Sequence, residues 1–453
     1  MNPSTTHKSI RRALVLLITL LLIFSGYYEY SANKITAIWN QNHGVPFVIG
    51  RNRNYFAAGA GYNLIVVQLE SFQNFVLNTS VDGQELTPVM NKLATEGLYF
   101  PYIFQQIGSG NTSDAEFMSN TSIYPVGASA MSTKYGNREL PSMAKLLHPR
   151  GYHADTFHVN DVSFWDRNLM YPALGFDSYY DKPYFPVAKF NRFGASDEAL
   201  YRVGINKMKT LHKHHKKFYA QFITVSSHAP FSIPKQSRRL KLNPKLSGTP
   251  LGDYLTAVNY TDYALGTFMD KLKTTGLWDN SVVVFYGDHY GLHKKKFNPK
   301  KISETLGITY HKQISTFNVP LIIHIPGERQ GVIVEQTGGQ IDILPTLANI
   351  MGIDLKREGF TAFGQDLLNT SHNVIGMRYY MPTGTFFNND ILFIPGKNGF
   401  EDGKATSIRT LQNIEDITPF KSDYDYIKKW MKLSDKYVKQ LPIRREVQAE
   451  TDN

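Results

Sequence analysis

The sequence predicts an α/β protein with a mostly parallel central sheet, preceded by one N-terminal transmembrane helix. Three observations predict it. Short, nearly continuous apolar runs recur at Asn63–Leu69, Phe218–Val225, Ser281–Tyr286 and Val319–Ile325, the pattern of strands covered on both faces. Segments of helical periodicity lie between these runs, and strands alternating with helices imply parallel pairing. Finally, Lys8, Arg11 and Arg12, an apolar run from Ala13 to Phe24, and Tyr27, Tyr28 and Tyr30 open the chain; cationic flank, apolar span and aromatic belt are the order of a membrane anchor.

Residues 13–28 are slightly short of the ~20 that span a bilayer comfortably. Tyr30 interrupts the small-residue pattern at Ser31-Ala32 that a signal peptidase would need, so we read an uncleaved anchor. It leaves residues 1–12 cytoplasmic and everything beyond about residue 30 outside. Residues 29–61, with Asn-Gln-Asn, Gly-Val-Pro and Arg-Asn-Arg-Asn, read as a stalk. Residues 62–370 then form the catalytic domain, and 371–453 an extension that completes it, with a charged tail helical from Ser422.

Of the 453 residues 42% are hydrophobic and 19% charged, which excludes a disordered chain and suits one large domain of roughly 300 residues. The formal charge of +11 points to anionic surroundings such as lipid headgroups or a polyanionic polymer. Cysteine is absent, so disulfides, thiolate ligands and cysteine nucleophiles are excluded.

One helix is expected over Asp253–Thr274, where Leu255, Val258, Leu265, Met269 and Leu272 share a face and Thr275-Gly276 ends it. A second runs from Gln340 to Met351 and stops at Gly352. A third begins at Ser196, with Asp197 and Glu198 in its first turn. It runs into the basic stretch Lys209–Lys217. His212, His214 and His215 in that stretch read as a solvated helix end, not a metal or nucleic-acid site, because the surrounding lysines oppose a divalent ion.

Three segments carry chemistry, each at a strand end or helix start, where open α/β sheets assemble their sites. Leu69-Glu70-Ser71 closes the first strand. Gly108-Ser109-Gly110-Asn111-Thr112-Ser113-Asp114-Ala115-Glu116 is a glycine-rich loop running into a helix, with Ser113 and Glu116 spaced as a capping box. There Thr112 sits where free N–H groups and the helix dipole stabilise an anion. A threonine hydroxyl is a weak acid, so a neighbouring divalent metal must activate it. Tyr286-Gly287-Asp288-His289-Tyr290-Gly291 ends a buried strand with a carboxylate and an imidazole, and Glu70 would complete an oxygen-rich site.

In this order the segments resemble the lipoteichoic acid synthases, phosphoglycerol transferases of the alkaline-phosphatase and sulfatase superfamily. Further markers are Phe164-Trp165-Asp166-Arg167, Thr224-Val225-Ser226-Ser227-His228-Ala229-Pro230-Phe231 and Gly339-Gln340-Ile341-Asp342. The resemblance runs from about Asn63 to Asp366 and implies a sulfatase-like sandwich. It implies that Glu70, Thr112, Asp288 and His289 hold one divalent ion, manganese typically or else magnesium, and that Thr112 becomes glycerophosphorylated. It further implies that Trp165, Arg167 and His228 bind the phosphoglycerol group of phosphatidylglycerol, that His228 moves protons, and that His158 and Asn160 belong to the same substrate site. The product is then an anionic glycerophosphate polymer, and no nucleic acid is involved.

Two departures bear on substrate identity. Asn111 stands where the family often has lysine, and Asn160 where it has aspartate. One anchor replaces the five membrane helices usual in the family. A formylglycine sulfatase is excluded because no Cys/Ser-x-Pro-x-Arg string occurs. A phosphodiesterase using water as acceptor and a non-catalytic polymer-binding module are the alternatives.

Overall fold

A computed structural model describes residues 54–186, 189–292, 297–328 and 330–445. The expected anchor, most of the stalk and the last eight residues lie outside the described residues. Among those described, no helix is long and apolar enough to cross a membrane.

The main sheet comprises β1 (Asn63–Leu69), β2 (Leu98–Phe104), β3 (Tyr152–His158), β4 (Ser178–Tyr180), β5 (Lys217–Ile223), β6 (Ser281–Gly287), β7 (Asn318–His324), β8 (Val332–Ile333) and β9 (Gly338–Gly339). Its order is β8-β2-β7-β6-β1-β5-β3-β4, with β9 also on β2. β1 lies between β5 and β6, both parallel to it, with Val66 opposite Gln221 and Val284. Every residue of β1 and β6 is buried, as continuous apolar runs demand.

The sheet is mostly parallel, as expected, and β7 is the strand that runs antiparallel to both its neighbours, β6 and β2. An apolar run shows that a strand is buried but carries no mark of its direction. β2 (Leu98–Phe104) is apolar except for Pro101, a residue that argues against a central strand, whereas β3 carries polar residues throughout. Pro101 and a register shift between Phe100 and Ile103 break up β2. In β3, Asp155 and His158 are buried polar residues, so the strand does not read as apolar.

Helix α1 spans Pro88–Glu96, α2 Thr112–Thr121, α3 Asp197–Lys213 and α4 Pro250–Thr274. Ser196 caps α3 by accepting from Ala199 N, and the helix stops at Lys213 because Lys217 already belongs to β5. His212, His214 and His215 are exposed. α4 starts three residues before the expected Asp253, since Thr249 accepts from Gly252 N and Pro250 is tolerated in the first turn. Its stripe Leu255, Val258, Leu265, Met269 and Leu272 is buried, worth roughly 1.5–3 kcal/mol per side chain.

Thr87 makes no side-chain cap for α1. Instead Asp262 of α4 accepts from Val89 N at 3.0 Å and Met90 N at 2.8 Å, which pins α1 onto α4. Burial raises the Asp262 carboxyl to about 7 against the two N–H donors that lower it. A raised folded-state value favours folding fully below the unfolded pKa near ~3.9 and loses that contribution as pH rises to about 7. Wild type is therefore expected to lose stability relative to Asp262→Asn between pH 5 and pH 8, by roughly 1.4 kcal/mol per unit titrated in that window. Urea unfolding of both proteins at the two pH values tests this; parallel changes would show that the carboxyl does not titrate there.

Helix α5, Ile343–Ile350, follows one 3₁₀ turn at Gln340–Asp342 and ends before Gly352. A second sheet of five antiparallel strands follows: β10 (Ile375–Met377), β11 (Thr385–Phe387), β12 (Ile391–Gly396), β13 (Gly399–Ser407) and β14 (Asn413–Ile414). The final described helix is α6, Lys421–Gln440. Arg378, next after β10, donates Nη1 and Nη2 to the Asp435 carboxylate of α6 at 2.9 and 2.6 Å, and Nε to Pro125 O at 2.8 Å. Pro125 lies four residues past α2, so one guanidinium clamps the second sheet and α6 to the segment leaving α2. Tyr124 N adds a bond to Ser434 Oγ at 3.0 Å.

Candidate active site

The C-terminal ends of β1, β5 and β6 meet the start of α2. Glu70 follows β1 directly and is held by the loop after β5: its N–H donates to Thr224 Oγ1 at 2.9 Å, and its carbonyl accepts from Ser227 Oγ at 2.6 Å. Asp288 follows β6, and its Oδ1 accepts from Ser71 N at 2.7 Å and His289 N at 2.6 Å. Asp288 Oδ2 is buried without a hydrogen-bond partner among the described residues.

Thr112 is the first residue of α2. Its Oγ1 lies 3.2 Å from Glu70 Oε2 and 3.4 Å from His289 Nε2. His289 Nε2 is 3.6 Å from Glu70 Oε1 and 3.5 Å from Asp288 Oδ2. All four expected metal ligands thus converge. The glycine loop before Thr112 is shaped by Asp114, which accepts from Gly108 N, Gly110 N and Met131 N at 2.9, 3.0 and 2.8 Å. A Cβ on Gly110 would fall 2.5 Å from Asp114 Oδ1, so only glycine lets the loop close this tightly.

The Ser113–Glu116 capping box is not formed. Ser113 Oγ donates to Gly110 O at 3.1 Å. Glu116, fully buried, accepts from Arg167 Nε at 2.9 Å, Arg167 Nη2 at 2.5 Å and Tyr171 Oη at 2.8 Å. The physical reason is tertiary: Arg167 is 1% exposed, and a buried guanidinium left without a carboxylate costs more than a missing cap.

A cavity of about 650 Å³ opens over these groups, and Glu70, Thr112, His158, Asn160, Trp165, Arg167, His228 and His289 all line it. The sequence-expected substrate residues therefore share one space with the expected metal ligands. His158 Nδ1 is 3.0 Å from Ile223 O; burial, aided by Arg167, pushes its pKa down to about 3. It is a neutral imidazole that donates from Nδ1 and keeps Nε2 as an acceptor. His228 likewise ties Nδ1 to Ala229 O at 2.8 Å, with the Phe193 ring 3.9 Å away. Trp165 adopts φ 65°, an uncommon backbone state for an aromatic residue and of the kind that clusters at functional sites. Asn160 Oδ1 accepts from Asp161 N at 2.8 Å.

The donor set fits one divalent cation. Glu70, Asp288 and His289 each offer a ligand atom within 4.8 Å of the others. Burial and then the Glu70 charge push the Asp288 carboxyl well up, so two buried carboxylates repel each other where a cation would bind them. For Glu70, burial is outweighed by His228, His289, Ser71 and Thr112, which hold it below its ordinary value. His289 Nδ1 lies 3.0 Å from Tyr290 O, the outer contact that metal-binding histidines use to turn the other nitrogen inward.

Sequence reasoning missed Phe193, Asp253 and Tyr290, which line the same cavity, and Tyr380, which reaches Asn111 from beyond β10. Tyr290 at least stands inside a quoted motif. Tyr380 had no local signal.

A mostly parallel sheet whose strand ends gather two carboxylates, an imidazole and a helix-start threonine defines a protein of the alkaline-phosphatase and sulfatase architecture. The sulfatase family profile matches residues 62–353, more than half of the chain, and the chain belongs to that family. It is 33% identical over 404 residues to lipoteichoic acid synthase 2 of Bacillus subtilis (strain 168), covering 88% of this chain and 59% of the relative. To lipoteichoic acid synthase of Staphylococcus aureus (strain NCTC 8325 / PS 47) it is 34% identical over 391 residues, covering 83% and 56%. It thus spans less than two thirds of these relatives' length. The crystal structure of lipoteichoic acid synthase LtaP from Listeria monocytogenes superposes with a TM-score of 0.84 at 40% identity, covering 90% of this chain and 98% of that one. An alkaline phosphatase superfamily protein from Vibrio parahaemolyticus shares the fold, with a TM-score of 0.67 at 21% identity.

Proposed function

We propose that this protein is a metal-dependent phosphoglycerol transferase that acts on the phosphatidylglycerol headgroup in lipoteichoic acid or related envelope polymer synthesis. In this reading, residues 62–370 form the catalytic domain, completed by 371–453 and held outside the cell by the N-terminal anchor. The observation that carries the reading is the Thr112 hydroxyl at a helix start, within 3.4 Å of both Glu70 and His289 and at the floor of a cavity lined by Arg167, Trp165 and two histidines. The names of the relatives support the same chemistry.

Glu70, Thr112, Asp288 and His289 would hold one divalent cation, manganese or magnesium, whose positive charge would make the Thr112 hydroxyl a nucleophile. The hydroxyl directs its proton at Glu70 Oε2. A bond forms between Thr112 Oγ1 and phosphorus as the bond from phosphorus to the diacylglycerol oxygen breaks. His228, with Nδ1 tied to Ala229 O, gives that leaving oxygen a proton from Nε2. In the second step a glycerol hydroxyl of the acceptor loses its proton to His228 and bonds to phosphorus as the bond from phosphorus to Thr112 Oγ1 breaks, and Thr112 Oγ1 recovers from Glu70 Oε2 the proton it gave up in the first step. Two in-line displacements retain configuration. The α2 N-terminus faces the charge that builds on the phosphoryl oxygens, and His158, held neutral, accepts from a substrate hydroxyl.

Incubating the purified protein with fluorescent phosphatidylglycerol and manganese should release diacylglycerol. Chelation should reduce the rate at least a hundredfold, and added manganese should restore it. Manganese should also raise the melting temperature, because it binds only the folded site. No diacylglycerol from manganese-loaded protein would refute the reading, and free glycerol phosphate as sole product would make the protein a phosphodiesterase.

A further inference from the structure

Asn111 precedes the nucleophile, lines the cavity and has φ 45°, a conformation non-glycine residues rarely adopt. It occupies the N-cap position of α2, yet its side chain makes no cap hydrogen bond. Its Oδ1 accepts instead from the Tyr380 hydroxyl at 2.5 Å, across 269 residues of sequence. Among the described residues its Nδ2 has no hydrogen-bond partner. The carboxamide is therefore held by one end, beside the oxygen that attacks phosphorus.

Tyr380 is itself fixed. Two residues earlier, Arg378 is bound to Asp435 and Pro125. The Tyr380 ring meets Tyr290 edge-on at 5.2 Å, and Tyr290 directly follows His289. The backbone of Tyr290 is anchored in turn by Gln105 Oε1 at 2.6 Å. Tyr380 thus bridges the residue before the nucleophile and the residue after the histidine, from outside the family-matched stretch 62–353.

We propose that Tyr380 is a positioning residue: its hydroxyl orients the Asn111 carboxamide so that Nδ2 donates to a non-bridging oxygen of the phosphoryl group on Thr112. The inference rests on the function proposed above. A neutral donor that is already aimed costs little reorganisation when the phosphoryl charge develops, whereas a carboxamide free to rotate would spend part of its time presenting Oδ1 to an anion.

The test is a double-mutant cycle on the full chain with Tyr380→Phe, Asn111→Gly and the pair. Glycine is chosen because it accepts the positive φ of Asn111. Turnover of phosphatidylglycerol and calorimetric affinity for sn-glycerol-1-phosphate are read for each protein, with thermal melting as the control for folding. Each single change should lower kcat about tenfold, the size of one hydrogen bond to a charged group, and weaken glycerol phosphate binding. Because Tyr380 acts through Asn111, the double variant should be no worse than Asn111→Gly alone. An unchanged Tyr380→Phe, or a double variant whose loss is the product of the two single losses, overturns the positioning role. A wild type that neither turns over phosphatidylglycerol nor binds glycerol phosphate overturns the proposed function, and this inference with it.

Discussion

Replacing Thr112 by alanine is expected to abolish turnover and leave the protein folded. The Thr112 hydroxyl contacts Glu70 and His289, so in the proposed mechanism its removal deletes the nucleophile and one ligand position together. The structural cost is small. The loop before Thr112 is organised by Asp114 through three backbone N–H groups, and none of these bonds involves the threonine side chain. Gln68 Nε2 holds the backbone carbonyl of Thr112 at 3.0 Å, which alanine retains. Thr112→Ser should keep measurable activity, since it keeps the oxygen. Mass spectrometry of substrate-trapped wild type should place the glycerophosphate on the peptide containing Thr112. An adduct on Ser109 or Ser113, or normal turnover by Thr112→Ala, would refute the covalent route.

Arg167→Ala should cost both activity and stability, and for one reason. The guanidinium gives Nε and Nη2 to Glu116 and Nη1 to Phe164 O at 3.1 Å, and both partners of the ion pair are almost wholly buried. Truncating it leaves the Glu116 carboxylate inside the protein with only Tyr171 to satisfy it, which costs about 3–5 kcal/mol. Arg167→Lys keeps a charge but cannot reproduce the planar fork, so it should recover part of the stability and little of the activity. The fork faces Glu116 of α2, so in the proposed mechanism what the lysine loses first is the alignment of Thr112 with the substrate. Chemical denaturation and kinetics on the same preparations would separate the two effects. Full stability in Arg167→Ala would show that the pair contributes nothing to the fold.

How far the sequence disclosed this site depends on whether a residue's role is set by neighbours along the chain. Glu70, Asp288 and His289 each follow an apolar run that reads as a buried strand and Thr112 stands where a glycine loop runs into a helix, and it was the order of these segments, more than any one of them, that made the candidate site legible. Trp165, Arg167 and His228 were legible only as parts of ordered motifs. Glu116 shows the limit: its spacing from Ser113 matched a local cap, and a distant arginine competed successfully for the carboxylate. Tyr380 lay beyond any pattern, since a tyrosine in a turn after a short strand gives no sign of which loop it will touch. The same holds for the direction of β7 and the polar interior of β3. These are set by sheet-wide packing, and hydropathy along one strand does not record it.

The Arg378 clamp makes the C-terminal sheet and α6 mechanically continuous with the loop that carries Thr112. Asp435 can change safely only if Arg378 changes with it, and a shift of Arg378 would carry Tyr380 away from the nucleophile loop. A substitution on the exposed face of α6 disturbs none of these contacts, whereas one at Asp435, Arg378 or Tyr380 is transmitted along the line of contacts that ends at Asn111.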